Sequence, residues 1–213
     1  DALHSSKINF VKLKNWKSPL LLKAAKAFQK KYKSNQSNDF IFFCKMNEYW
    51  LDNYAVYKVL KSKNNNLPWF KWDNELKLYD EKLIKSMLKK ESEKIEIIKI
   101  IQYFFSKQWH LLKNYAKNKN ISLIGDIPIY VSHDSADVWA NQKLFKLNDN
   151  GNMLVKSGCP PDYFMEDGQV WGHPIYDWDN HRKESYRWWI SRLSFLIELV
   201  DLVRFDHFNG ILR

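Results

Sequence analysis

Apolar positions along this chain change their spacing partway through. As far as residue 117 they recur every three or four positions among lysines, which lays one side of a helix on a core. Ser18 and Pro19, an N-cap followed by the residue best tolerated at the first helical position, predict a helix from there to about Tyr32. A second helix is predicted over residues 46–61, striped by Trp50, Leu51, Tyr54, Tyr57 and Leu60 and broken by Asn64-Asn65-Asn66-Leu67-Pro68. Two more are predicted between residues 81 and 117. The later one should bury Ile97, Ile98, Ile101, Phe104, Phe105, Trp109, Leu112 and Tyr115.

Beyond Asn120 the apolar positions gather into short unbroken runs. Residues 121–131 and 200–205 are rich in β-formers and read as buried strands. Residues 132–179 between them hold no period and are punctuated by Gly, Pro, Asn and Asp. A loop that long inside a domain is functional or disordered, and its Trp and Tyr content argues for function. Residues 183–199 then predict a helix with Trp188, Trp189, Leu193, Leu196 and Ile197 on its apolar side. Strand, crossover helix and strand form the βαβ unit of a parallel sheet. Chemistry in such sheets gathers at the carboxyl ends of the strands, where this chain has Asp126 and Asp206.

Composition adds one constraint and charge removes a false lead. A chain of 213 residues, 45% hydrophobic and 16% aromatic, can bury a core. A whole (β/α)8 barrel takes about 250 residues, so a barrel reading implies part of one. The net charge of +10 suggests nucleic acid or an anionic membrane. Residues 1–120, however, carry 25 Lys against 11 acids, while residues 121–213 carry 9 Lys and Arg against 13 acids. The excess therefore coats the helical half, which has no Arg, the residue that bidentate phosphate recognition favours. Neither nucleic acid nor membrane is expected as a partner.

Cys44 and Cys159 are too few and too far apart for a disulfide framework, which fits a reducing cytoplasm. The chain carries no signal segment, no long apolar span, no Gly-x-Gly-x-x-Gly and no P-loop, so no organic cofactor is expected. His133-Asp134-Ser135-Ala136-Asp137 lacks a convergent ligand set; it reads as a loop cap or salt bridge, and no metal is assigned.

Alternation puts Arg204 and Asp206 on one face of the second strand. A guanidinium two residues before a carboxylate would hold it ionised and oriented, as a nucleophile requires. On these residues alone a structural ion pair is the alternative, and for Asp126 a bland turn cap is.

Four motifs follow one another in order: Gly125-Asp126-Ile127-Pro128-Ile129-Tyr130, Pro160-Pro161-Asp162-Tyr163-Phe164, Trp171-Gly172-His173-Pro174 and Arg204-Phe205-Asp206-His207-Phe208. Together they resemble the 4-α-glucanotransferases, the amylomaltases or disproportionating enzymes of the α-amylase group. Tyr49-Trp50-Leu51-Asp52-Asn53-Tyr54-Ala55 and Pro68-Trp69-Phe70-Lys71-Trp72 resemble that family's helical region before the third barrel strand. The resemblance implies an α/β fold: a partial (β/α)8 TIM barrel with a helical insertion region preceding the third strand. Residues 1–120 would form the helical part of the catalytic domain, and residues 121–213 the barrel strands and active-site loops.

The activity implied is a retaining double displacement that moves α-1,4-glucan segments between maltodextrins. Asp206 would be the nucleophile, Arg204 its orienting partner and Asp126 a steadying acid, with Asp162, Tyr163, Phe164, Trp171 and His207 meeting the substrate. The family's acid/base glutamate lies beyond the next strand, so this chain alone is expected to be inactive. His173 and Asn209 stand where many relatives have Asn and Arg, which bears on acceptor preference. A non-catalytic glucan-binding or assembly piece is the rival reading from another class.

Overall fold

Helices build the first half of the molecule, and the computed structural model describes residues 7–34, 37–163 and 165–212. They are α1 (Phe10–Ser34), α2 (Asn38–Met46), α3 (Glu48–Lys63), α4 (Asn74–Lys77), α5 (Glu81–Lys90) and α6 (Ser92–Lys117), with a 3-10 turn at Trp69–Lys71. Then come β1 (Ile124–Ile127), α7 (Ala136–Ala140), β2 (Lys156–Cys159), β3 (Gln169–Pro174), α8 (Trp178–Lys183), α9 (Arg187–Leu199), β4 (Leu202–Phe205) and α10 (Asn209–Leu212). No helix among the described residues is long and apolar enough to cross a membrane.

Several expected boundaries move, each for a local reason. Helix α1 starts at Phe10, not at Ser18, because the Asn9 side chain already accepts from the Lys12 N–H at 3.0 Å. Pro19 therefore sits inside the helix, where it costs one backbone hydrogen bond. Helix α2 escaped the sequence reading; what fixes it is Phe40, buried edge-on against Phe28 and Tyr103. Helix α3 has no single apolar side. Leu51, Ala55, Val56, Tyr57, Val59 and Leu60 are buried around most of its circumference. Helix α6 buries Ile95, Ile100, Tyr103 and Ala116, whereas Phe105, Leu112 and Tyr115, expected in the core, are more than half exposed.

Residues 132–179 hold more order than their composition suggests. Within them β2 and β3 pair antiparallel, with Lys156 opposite Pro174, Gly158 opposite Val170 and Cys159 opposite Gln169. The helix predicted at 183–199 starts later, at Arg187, because Ser185 and Tyr186 are both left-handed at φ 53°, and a short α8 precedes it at the end of the segment expected to be irregular. Ile197, expected on the apolar side of α9, is exposed. The largest core cluster joins α3, α5 and the Trp69 turn to Ile127, Trp139, Tyr176 and Trp189, and so spans both halves of the chain.

Strands β1 and β4 are neighbours and run parallel, pairing Ile124 with Leu202, Gly125 with Val203, Asp126 with Arg204 and Ile127 with Phe205. Side chains outside the sheet set that register. The Asp201 carboxylate accepts from the Leu123 N–H at 2.8 Å, aligning the two strand starts. Trp109 Nε1 and Lys113 Nζ of α6 donate to the carbonyls of Leu199 and Glu198, at 2.7 and 2.8 Å, and close the end of α9. Glycine is required at 125 because a Cβ there would lie 2.9 Å from Val200 Cγ2. The strands are less buried than expected: Ile124 and Leu202 are 71% and 58% exposed, since among the described residues β1 and β4 pair only with each other.

Candidate active site

Parallel pairing in register puts Asp126 directly across from Arg204, and Asp206, the first residue past the end of β4, lies close enough for the same guanidinium to reach it. The guanidinium meets Asp126 as a fork. Nε and Nη2 lie 2.5 Å from Oδ1 and Oδ2, and Nη2 is 3.7 Å from the Asp206 carboxylate. Arg204 therefore bridges the two acids but binds Asp126 more closely, whereas the sequence suggested Asp206 as its partner. Bidentate bonding to the cation holds the Asp126 carboxyl below the usual carboxylate range and raises Arg204 in turn.

The backbone turns sharply after Asp206. His207 adopts a left-handed φ of 51°, an uncommon conformation for a residue with a Cβ. The strain aims its ring at Trp171, edge to face with centroids 4.7 Å apart. Trp171 also approaches Tyr130 at 6.2 Å, and its indole N–H donates to Gln169 at 2.9 Å. Strand β3 thereby lays an aromatic wall beside the charged cluster. Ring faces of this kind suit the apolar C–H side of a sugar.

The remaining candidates occupy the loop between β2 and β3. Asp162 is engaged in its own turn, where its side chain accepts from the Met165 N–H at 2.9 Å. Tyr163 projects at 96% exposure, and Phe164 lies outside the described residues. Asp162 and Tyr163 lie in the connection that leads from β2 to β3, the strand of Trp171. The structure brings Trp171 to His207.

His133 and Asp134 are structural. The His133 ring stacks on Phe70 with centroids 4.2 Å apart, and its Nε2 pairs with the Gly151 carbonyl at 2.8 Å. Asp134 accepts from the Tyr57 hydroxyl at 2.7 Å and pairs with Lys61, and Ser135 caps α7.

Two side chains near the site were not singled out in the sequence. Tyr176, fully buried, donates its hydroxyl to the Ile129 carbonyl at 2.5 Å, and Arg192 donates to the Pro128 carbonyl at 2.6 Å. A usable signal existed for Arg192: a cation four residues after Trp188 lies over that ring, here 5.4 Å from its centroid.

A family model described as 4-alpha-glucanotransferase matches residues 1–213. The curated 4-alpha-glucanotransferase of Streptococcus pneumoniae serotype 4 is 40% identical over 207 residues, covering 97% of this chain and 40% of the relative. That of Clostridium butyricum is 41% identical over 204 residues, covering 95% and 41%. The chloroplastic/amyloplastic protein of Solanum tuberosum is 36% identical over 212 residues, covering 99% and 37%. Among solved structures, an amylomaltase from Streptococcus agalactiae in complex with acarbose superposes with a TM-score of 0.85 at 37% identity, over 95% of this chain and 41% of the other. The chain spans about two fifths of the length of the relatives it matches.

Proposed function

This chain belongs to the 4-alpha-glucanotransferase family, and from that membership we propose that it is part of an enzyme moving α-1,4-glucan segments between maltodextrins. The observation that carries this reading is the Arg204 fork, which holds two acids at the carboxyl ends of adjacent parallel strands. Such strand ends are where a (β/α)8 barrel places its chemistry, and β1, α9 and β4 would be one βαβ unit of that barrel.

In the first displacement the Asp206 carboxylate attacks the anomeric carbon. The glycosidic C–O bond breaks, and the departing oxygen takes a proton from a general acid. In the second, an acceptor hydroxyl attacks the same carbon, returns its proton to that group and releases Asp206. Asp126 is the wrong group for the acid, because Arg204 keeps it ionised. It serves to hold Arg204. The proton donor comes from outside these 213 residues, and the chain alone does not turn over.

Trp171 and His207 supply a ring surface for the glucan, and Asp162 and Tyr163, in the loop between β2 and β3, would meet the substrate beside it. The acarbose held by the Streptococcus agalactiae relative supports a glucan-like ligand. Free thiols at Cys44 and Cys159 support a cytoplasmic setting.

The test is trapping. A slow fluoro-sugar donor given to the whole protein should label Asp206, as located by mass spectrometry, and Asp206→Asn should abolish the label and the transfer while glucan binding persists. A label on another residue overturns the assignment. Binding without any transfer favours the non-catalytic reading.

A further inference from the structure

Arg192 touches neither acid, yet its guanidinium is spent on the turn that follows Asp126. Nη2 donates to the Pro128 carbonyl at 2.6 Å, and Nη1 lies 3.5 Å from the Ile129 carbonyl and 3.5 Å from the Tyr176 hydroxyl. The Ile129 carbonyl also accepts from Tyr176 at 2.5 Å. The planar group is clamped over Trp188 and Trp189, 5.4 and 5.0 Å from their ring centroids, and this fixes its fork direction.

The turn it holds touches both strand ends. Asp126 lies two residues before Pro128 on β1. On the other side Ile129 and Tyr130 press on the segment after Asp206, where a Cβ at Gly210 would lie 2.9 Å from Ile129 Cγ1 and 3.1 Å from Tyr130 Oη. A displaced turn therefore moves Asp126 and the His207–Gly210 bend together. Tyr176 follows β3, so the same bonds also anchor the base of the strand that carries Trp171.

We propose that Arg192, assisted by the Tyr176 hydroxyl, is a positioning residue for this site: it pins the turn at residues 128–130 and so sets the geometry in which Asp126, Arg204 and Asp206 meet. The proposal rests on the glucan-transfer reading above. Lysine keeps the charge at 192 but has no fork with which to reach two carbonyls.

In the whole protein, Arg192→Lys and Tyr176→Phe should each lower kcat for maltotriose transfer about 10- to 100-fold, as small misplacements of reacting groups do. KM should change less than about twofold, because neither residue meets the sugar. Amide hydrogen exchange at Ile127, Ile129 and Tyr130 should quicken in both variants. Met87→Ala, a core truncation in α5 that also lowers Tm, should leave kcat and this exchange unchanged. A kcat within about twofold of the parent, an equal loss in Met87→Ala, or unaltered exchange at the turn would each overturn the proposal. If Arg192→Lys fails to fold, Tyr176→Phe, which removes one oxygen atom, decides. A parent that does not transfer glucan sinks the functional reading instead, and the exchange measurement still judges the clamp.

Discussion

At Arg204 the shape of the cation matters more than its charge. Two parallel bonds to Asp126 fix the plane of the guanidinium, and only then can Nη2 also face Asp206. Lysine could satisfy one acid at a time, so Arg204→Lys should cost the whole protein about tenfold or more in turnover, measured at saturating maltotriose. Retention of full turnover would show that the fork is dispensable. A second residue test concerns His181, which is fully buried among Tyr176, Trp178 and Trp188. Burial lowers its pKa, with the Leu144 carbonyl and Asp177 opposing more weakly. The folded state binds this proton less readily than the unfolded chain, so the stability is complete above the ordinary value of 6.5 and is lost as pH falls below it. His133 shifts in the same direction. His181→Phe should flatten the fall of Tm between about pH 7 and 5, and an unchanged slope would refute this. Arg204 and Asp206 were legible in the sequence because alternation places them on one face, whereas Asp126 joins them only through the register of the parallel pair. Tyr176 was not, because a bond from a side chain to a backbone carbonyl leaves no pattern in residue types; for Arg192 the spacing from Trp188 was there to read, but not the carbonyls it holds.

Elements were legible where packing agreed with local period. Helices α5 and α6 and the parallel pair fell where spacing put them, although α6 leaves Phe105, Leu112 and Tyr115 exposed and both strands are less buried than their composition suggests. Period failed at α2, where one ring cluster rather than a stripe decides the structure, and at β2 and β3, strands of four and six residues with glycines at 158 and 172 instead of alternating side chains. The contact between β1 and α9 is tight enough to test. Gly125→Ala would drive a methyl against Val200, a branched side chain with little freedom to move aside. It should destabilise by about 1–3 kcal/mol in urea unfolding. Val200→Ala vacates that space, so the double variant should lose clearly less than the two single losses combined. Additive losses would mean that the two residues do not compete for the same volume.

For the whole molecule, charge and apolar surface carry different messages. The lysine excess belongs to residues 1–120, whereas the candidate site residues belong to the acidic residues 121–213. Ile124, Leu202, Phe10 and Val11 are each more than half exposed and mark faces that this chain leaves bare. The isolated 213-residue chain should therefore bind a hydrophobic dye such as ANS and, given maltotriose, release neither glucose nor longer products. Transfer at the rate of an intact relative would overturn the view that the proton donor lies elsewhere.

The strands that carry Asp126 and Arg204 meet across 78 residues of chain. Helices and the β2–β3 hairpin close over short separations, whereas this pairing must wait for a large loop to shut and for α9 to be in place. During refolding of the whole protein, then, far-ultraviolet ellipticity should recover before glucan transfer does, and in mild denaturant transfer should vanish while most of the helix signal remains. What this fold assembles last is the meeting of its charged residues.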